Sequence, residues 1–446
     1  MESTFVSAAP RAIGFREALR FWLKLGCISF GGPAGQIAIM HRELVERRHW
    51  ISERRFLHAL NYCMVLPGPE AQQLATYIGW LLHGTRGGIA AGALFVLPSL
   101  VLLVALSWIY VRFGDVPFVR ALLEGVKPAV VAIVLAAAWR IGTRTIRSLP
   151  LAAIALAAFL ALSVFSAPFP AVVAAAALLG WIGSRFVPSA FAPPSHSGLG
   201  TAAHVPAVID DDTPTPAHAR FSRGRLARVA LAFAALWAAT LGALALAFGW
   251  HGDFTRMGTF FTQAALLTFG GAYAVLPYVV QGAVEQYGWL TAAQMIDGLA
   301  LGETTPGPLI MVVAFVGFLG GWTKCLLGSG SLFVAGALGA AIATWFTFLP
   351  SFLFILAGGP LVEGTRDDAR LTAPLTAITA AVVGVIVSLA VYFGAHVFWK
   401  PAGFDFVSAA IAAAALLALT RYRAGVIPVI AFSGLAGLAA WVQRGL

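Results

Sequence analysis

The chain has 446 residues, of which 59% are hydrophobic and only 11% charged, and its mean hydropathy is +0.85. This composition excludes a soluble globular domain and predicts an integral membrane protein. The formal net charge of +10 does not indicate nucleic-acid binding, because the basic residues are scattered among loops instead of gathered on one face. We interpret them as topology signals.

The first part of the chain is predicted to contain two interrupted helices. An apolar helix over residues 13–29 ends at the sequence Phe-Gly-Gly-Pro, residues 30–33, and the stretch 34–49 continues as a helix that becomes strongly charged. A second helix begins near Ser52, a residue type favoured at helix N-caps, and is interrupted at Pro-Gly-Pro, residues 67–69. Each interruption predicts two helical arms around a kink.

Apolar runs follow, and those of 18 or more residues are long enough to cross a hydrocarbon core about 30 Å thick. They include residues 88–111, 118–142, 148–166, 168–186, 226–249, 371–394, 405–420 and 424–443. A hydrophilic stretch at 187–225, rich in proline and carrying an acidic triplet, is typical of a flexible linker. The run at 226–249 is an additional crossing that has no partner in the first half.

The two kinds of interruption occur twice, at a constant offset of 239 residues. The Phe-Gly-Gly breaks are residues 30–32 and 269–271, and the Pro-Gly-Pro breaks are residues 67–69 and 306–308. Ten of the forty aligned residues from 30 to 69 are identical, and a later offset of 252 aligns Leu-Pro-Ser at 97–99 with 349–351. The chain is therefore predicted to be an internal duplication, with helix breakers arranged as they are around the central site of a secondary transporter.

Charge placement predicts that the two halves cross the membrane in opposite senses. If each break is the tip of a re-entrant hairpin and nine long runs cross fully, most of the 29 Lys and Arg residues fall on one side, which the positive-inside rule makes cytoplasmic. The other side receives Arg112, Arg120, Lys127, Arg256, Lys324, Lys400 and Arg444. The basic loop at 41–55 also has a counterpart, 280–294, without any Lys or Arg.

The predicted fold class is thus an all-α polytopic membrane protein with two inverted-topology repeats and broken or re-entrant helices at the breaks. We divide the chain into a first membrane repeat at 1–186, a flexible cytoplasmic linker at 187–225, and an extra crossing plus the second, inverted repeat at 226–446.

The breaks are the predicted substrate site. A helix that restarts after Pro-Gly-Pro presents free N–H groups and the positive end of its dipole, which can bind an oxyanion. The predicted substrate-binding residues are Gly31, Gly32, Pro33, Gln36, Pro67, Gly68, Pro69, Gln72, Gln73, Gly270, Gly271, Tyr273, Thr304, Thr305, Pro306, Gly307 and Pro308. The alternative is that the breaks only kink helices for packing.

Charged residues near the breaks have two predicted roles. Glu70 and Glu303 are candidate proton carriers, because an ionised carboxylate would repel an anion and burial favours the neutral form. Glu70 has the alternative role of a favourable charge in the first turn of a helix. His41, Arg42 and Arg47 are candidates for attracting anions to the cytoplasmic mouth, and a solvated loop that only sets topology is the alternative.

At these residues the sequence resembles the chromate ion transporter family in its long, two-domain form. The resemblance rests on residues 30–33, 41–52 and 66–79 in the first half and on residues 269–271, 289–291 and 305–308 in the second. It implies export of chromate from the bacterial cytoplasm across the inner membrane. Sulfate, also a tetrahedral dianion, is the competitor that it implies.

We therefore predict a multi-pass secondary transporter that exports chromate or a related oxyanion by alternating access, driven by the proton gradient. A passive oxyanion channel and a carrier of sulfate or another oxyanion are the alternatives. The chain has no GxxxxGK[ST], HExxH or GxSxG motif, so we predict no ATPase or other enzyme. Oxyanion and membrane lipid are the predicted partners, with homodimerisation as an option. Cys27, Cys63 and Cys325 lack metal-ligand spacing, and no cofactor or metal is predicted.

Overall fold

The structure, a computed structural model, describes residues 13–191, 206–214, 216–364, 372–401 and 403–443. These residues are almost entirely α-helical, with one short hairpin, β1 (Trp399–Lys400) and β2 (Gly403–Phe404). The helices are α1 (Phe15–Ile28), α2 (Gly32–His41), α3 (Glu53–Val65), α4 (Glu70–Phe113), α5 (Pro117–Thr145), α6 (Leu149–Ser163), α7 (Phe169–Phe186), α8 (Arg223–Phe248), α9 (Asp253–Leu266), α10 (Ala272–Val280), α11 (Ala292–Thr304), α12 (Val312–Thr323), α13 (Leu332–Gly364), α14 (Thr372–Phe398), α15 (Phe406–Thr420) and α16 (Val426–Gln443).

The internal duplication is visible helix by helix. A π-helical turn follows α2 at Arg42–Arg47, and another follows α10 at Gln281–Gln286, displaced by the same offset as the breaks. The bounds of α3 and α11 are displaced by this offset too. Beyond the Pro-Gly-Pro breaks, α5, α6 and α7 correspond in order to α14, α15 and α16, whereas α8 has no counterpart. The sequence offsets thus identify the structural repeat.

The helices are those of a multi-pass membrane protein. Seven helices in the described residues are long and apolar enough to span a bilayer: α4, α5, α7, α8, α13, α14 and α16. The runs predicted at 148–166 and 405–420 form shorter helices, α6 and α15, of 15 residues each. Such a helix is about 22 Å long, less than a typical hydrocarbon core. For α6, the chain leaves the helix before Pro168.

Helix α4 is two helices in line, not one uninterrupted crossing. Its backbone leaves the helical region at His83 and Gly84, where Gly84 has φ 64° and ψ −157°. The first arm therefore starts at Glu70, directly after the Pro-Gly-Pro break, and ends at this kink. In the second half the equivalent connection lies between α12 and α13, which are separate helices.

The two pairs of short helices are packed differently. Helix α10 is buried along nearly its whole length and packs on α14, while α11 packs on α5, α14 and α16. Their counterparts α2 and α3 belong to a separate hydrophobic cluster with α1 and the first arm of α4. Gly31 just before α2, and Ala34 and Ala38 on it, are exposed. Helix α2 is therefore less buried than its counterpart α10.

Part of the predicted linker is ordered against the first half. Ile209 and Ile51 form a parallel bridge, in which Ser52 N donates to Ile209 O (2.9 Å) and Ile209 N donates to Trp50 O (3.0 Å). The Ser52 hydroxyl caps α3 and also donates to Asp211 (2.6 Å). Sequence composition alone pointed to flexibility here, since it does not reveal the free backbone edge at Trp50–Ser52.

Candidate functional site

The breaks of the two halves contact each other through a pair of matched hydrogen bonds. The Gly68 N–H donates to the carbonyl of Thr268, and the Gly307 N–H donates to the carbonyl of Ser29, both at 2.8 Å. Ser29 and Thr268 occupy equivalent positions just before the two Phe-Gly-Gly breaks, as Gly68 and Gly307 do in the Pro-Gly-Pro breaks. Each Pro-Gly-Pro break is therefore joined to the Phe-Gly-Gly break of the other half.

Glycine is required at the centre of both Pro-Gly-Pro breaks. Gly68 and Gly307 have φ of 123° and 107°, which side chains of L residues rarely adopt. A Cβ on Gly68 would lie 2.5 Å from Ser351 Oγ, and one on Gly307 would lie 2.7 Å from Ser99 Cβ. The breaks are thus positions of close backbone approach in addition to kinks.

Ser99 and Ser351 complete this centre and were not among the predicted site residues. Each is fully buried one residue after a proline inside a helix, Pro98 in α4 and Pro350 in α13. Neither hydroxyl has a hydrogen-bond partner in the described residues. The matched Leu-Pro-Ser triplets were a sequence signal for them, used only to align the repeats. A hydroxyl can donate to an oxyanion.

Three predicted glutamines of the first half lie buried at the breaks. Gln36 Nε2 donates to the carbonyl of Gly307, so this side chain contacts the opposite half. Gln73 Nε2 donates to Pro67 O (2.8 Å), and Gln72 Nε2 donates to Thr76 Oγ1 (3.0 Å). The amide oxygen of each has no partner in the part of the chain that the structure describes. The structure therefore brings the predicted amides to the breaks.

The polar residues of the second half are engaged differently. The Tyr273 hydroxyl donates to the Glu303 carboxylate, and both side chains are buried. Thr304 donates to Ala300 O (3.1 Å) and Leu301 O (3.0 Å), and Thr305 donates to Gly302 O (3.0 Å). The two threonine hydroxyls thus bond within their own helix in this conformation, a common use of Thr near helix ends.

The two candidate proton carriers are in unlike surroundings. Glu70 is half-buried at the start of α4 and close to the buried Cys63. Glu303 lies near the end of α11, just before the second Pro-Gly-Pro break, and is held by Tyr273. Each carboxyl is therefore adjacent to a break, one after it and one before it.

The restart after each Pro-Gly-Pro break also differs between the halves. Helix α4 begins at Glu70, as predicted, and its first turn leaves N–H groups without intrahelical partners. In the second half a 3₁₀ turn, Leu309–Met311, precedes α12, which begins at Val312. The helix after the second break therefore starts with a turn that is wound more tightly than an α-helix.

Two of the three cations predicted to attract anions are paired with carboxylates. His41 lies 2.5 Å from Glu53 and 3.1 Å from Glu46, and Arg47 lies 2.6 Å from Glu43. Arg42 is exposed. This pairing reduces the net positive field that the loop presents.

Buried charges connect the halves on both sides of the breaks. Arg55 of α3 lies 3.2 Å from Glu363 of α13, which also accepts a bond from Tyr77 (2.5 Å). Asp297 of α11 accepts a bond from Tyr110 of α4 (2.9 Å) and lies 3.9 Å from Lys127 of α5. These contacts bring α3 against α13 and α11 against α4 and α5.

Comparison with known proteins identifies relatives along most of the chain. The family model described as chromate transporter matches residues 16–181 and 255–438, two segments whose starts are equivalent positions of the two repeats. A chromate transport protein from Pseudomonas aeruginosa is 32% identical over 446 residues, covering 98% of this chain and 95% of the relative.

Two further relatives have similar coverage. A chromate transport protein from Cupriavidus metallidurans is 29% identical over 96% of this chain and 93% of its own length. A probable chromate transport protein from Synechococcus elongatus is 29% identical over 86% of this chain and 85% of its own length. No solved structure matches.

Proposed function

The chain belongs to the chromate transporter family, and we propose that it exports chromate, or a related tetrahedral oxyanion such as sulfate, across the bacterial inner membrane. The observation that carries the proposal is the pair of crossed hydrogen bonds, Gly68 to Thr268 and Gly307 to Ser29. They join broken helices from both halves at one centre, where free backbone and hydroxyl donors are suited to an oxyanion.

The oxyanion is held, in this proposal, by donors from both halves. The N–H groups of the first turn of α4 supply the positive end of a helix dipole. The hydroxyls of Ser99 and Ser351, which have no partner in the described residues, supply the uncharged donors nearby. Neutral donors bind a dianion without the strong charge pairing that would slow its release.

Unequal packing of the short helices supports alternating access. Helices α10 and α11 are docked on α14 and α5, and Lys127 and Asp297 lie within 3.9 Å of each other at that contact. Helices α2 and α3 pack on α4 instead, and α2 has exposed residues at Ala34 and Ala38. In the other state, α2 and α3 dock on their equivalent partners while α10 and α11 release theirs. Under the topology predicted from charge, the structure is open to the cytoplasm.

Glu70 and Glu303 are the proposed coupling groups. Both are close to the breaks. Burying a carboxyl group costs less free energy when it is protonated and neutral than when it is ionised. Export is tied to the proton gradient if the carboxyl takes up a proton from outside once the oxyanion has left and releases it to the cytoplasm before the next oxyanion binds. Tyr273 holds the Glu303 carboxyl in place by its hydrogen bond.

Uptake into inverted membrane vesicles tests the function and its coupling together. We expect saturable uptake of radiolabelled chromate that sulfate inhibits and that collapses when the proton gradient is removed. Replacing Glu303 with glutamine is expected to leave the protein folded, because the tyrosine hydrogen bond can persist, and to abolish the dependence on the gradient. The Glu70→Gln variant is measured in parallel.

Four results would count against parts of this proposal. Saturable uptake that does not depend on the proton gradient would contradict proton coupling but would still be consistent with a carrier. Non-saturable flux would favour a passive oxyanion channel. Unchanged gradient dependence in a glutamate variant would assign that residue a structural role, and wild-type vesicles without uptake of either ion would overturn the transport function.

A further inference from the structure

A basic cavity lies beside α1, and none of the residues that line it belongs to the Phe-Gly-Gly or Pro-Gly-Pro breaks. Its volume is about 460 Å³, and it is lined by Arg16, Glu17, Arg20, Phe21, Lys24 and Arg48. Four cations therefore surround one space with a single carboxylate. Among the described residues, Arg16, Arg20 and Lys24 have no ion-pair partner, whereas Arg48 is 3.7 Å from Glu43 and 4.0 Å from Glu17.

The three α1 cations form a ladder toward the first Phe-Gly-Gly break. They are spaced four residues apart, so they lie on one face of the helix and extend over about 12 Å. All three are exposed. Lys24 lies one turn before α1 ends at Ile28, and the exposed Gly31 follows.

Arg48 is fixed at the edge of the cavity by aromatic rings. Its guanidinium carbon lies 4.9 Å from the ring centroid of Phe21 and 5.3 Å from that of Trp50, within the range of cation–π contacts. Its Nε is buried and lies 3.7 Å from the Glu43 carboxylate, too far for a hydrogen bond. The charge is thus held in place and still has donor capacity.

The second repeat builds the same corner without these charges. The equivalents of Arg16, Arg20, Lys24 and Arg48 are Thr255, Thr259, Gln263 and Tyr287. Tyr287 stacks on Trp289, with ring centroids 4.7 Å apart, and contacts Phe260 at 5.8 Å, which are the equivalents of Trp50 and Phe21. The corner therefore does not need an arginine for its packing.

Membrane orientation does not explain the arrangement of the cations either. The positive-inside rule depends on how many basic residues a segment carries, not on whether they converge on one cavity. The three unpaired cations of α1 repel each other, and an anion bound between them removes that repulsion. Arginine is well suited to the task because its planar donors match tetrahedral oxyanions.

We propose that Arg16, Arg20, Lys24 and Arg48 form a second binding site for a tetrahedral oxyanion group, outside the central site. The group is either a free dianion, such as sulfate or chromate, or the phosphate of an acidic lipid, since both share this chemistry. If the free ion binds, the site is the cytoplasmic entrance to the central site. Only that role as an entrance rests on the proposed function, because binding requires no transport.

Arginine modification tests the site directly. Purified full-length chain in detergent is treated with phenylglyoxal in sulfate or in chloride of equal ionic strength, and the modified peptides are quantified by mass spectrometry. We expect sulfate to slow modification of Arg16 and Arg20 by about fivefold, as expected for roughly one basic-residue interaction. Arg54, exposed on α3, is the internal control and should react equally in both salts.

A second experiment, with lipid vesicles and no sulfate, distinguishes a free ion from a lipid phosphate as the source of the oxyanion group. The chain is reconstituted in phosphatidylcholine vesicles with or without phosphatidylglycerol, and protection only with the acidic lipid assigns the site to lipid phosphate. Equal modification under all four conditions would overturn the site. Protection in a chain that transports nothing would leave the site intact while the proposed function fails.

A matched pair of variants tests the entrance role if sulfate protects. Arg20→Gln is expected to raise the KM for the oxyanion by about fivefold, with a larger effect on KM than on maximal rate. Arg54→Gln removes the same charge elsewhere on the predicted cytoplasmic side and should leave KM unchanged. An equal rise in KM in both variants would mean that the effect comes from the overall charge of the cytoplasmic side, and it would overturn the entrance role.

Discussion

Replacement of Gly307 by alanine is expected to abolish transport in a chain that still folds. Its φ of 107° is strained for alanine, and the new Cβ would be 2.7 Å from Ser99 Cβ. Strain of this kind costs about 1–3 kcal/mol, and the shift that relieves it moves the N–H away from Ser29. Because the breaks are matched, Gly68→Ala should have the same effect.

Transport and thermal unfolding are measured together for these variants. We expect an unfolding temperature lowered by a few degrees and uptake at the background level. The control is Gly242→Ala in the middle of α8, where an added Cβ has nothing within 4 Å. Alanine there stabilises a helix by about 0.8–1 kcal/mol and should leave uptake unchanged. Uptake by Gly307→Ala at the wild-type rate would show that the crossed contact is dispensable.

The Arg55→Leu variant is expected to lose much more stability. The Arg55 and Glu363 side chains are 5% and 2% exposed, and the variant leaves the carboxylate buried beside Tyr77 without its arginine. Removal of one partner of a buried ion pair typically costs about 3–5 kcal/mol. The expected result is a large fall in unfolding temperature in detergent.

The adjacent arginine gives a matched control for this experiment. Arg54 is exposed on the same turn of α3, so Arg54→Leu removes the same charge and should change stability by less than about 0.5 kcal/mol. Equal unfolding temperatures for the two variants would contradict a stabilising role of the Arg55–Glu363 pair. The Arg55→Lys variant distinguishes charge from geometry, since lysine keeps the charge but loses the planar donors.

The sequence was sufficient to predict the helical membrane fold and the position of the breaks. Gly, Pro and the apolar runs act locally, so the pattern places Gly68 and Gly307 at interruptions before any contact is known. Exact repetition at one constant offset also predicted that α3 and α11 would be equivalent. The lengths of α6 and α15 were less predictable, because an apolar run can extend beyond the residues that stay helical.

Contacts between distant residues could not be predicted in the same way. The sequence shows that Gly68 has a free N–H but not that Thr268 accepts it, because that depends on how the halves pack. Thr304 and Thr305 have the composition of ligand donors, yet their hydroxyls bond to their own helix. The basic ladder of α1 was visible as charges in the sequence, but its convergence with Arg48 required the fold.

Thiol labelling in the first turns of α2 and α10 tests the exchange of roles between the halves. Ala34→Cys is at an exposed position of α2, and Ala272→Cys is at a buried position of α10. Each is introduced after Cys27, Cys63 and Cys325 are replaced by serine or alanine. Sulfate serves as the substrate, because chromate oxidises thiols. If the halves alternate, sulfate and a proton gradient will slow labelling of Ala34→Cys and speed labelling of Ala272→Cys, whereas rates that stay constant or change in the same direction would contradict alternation.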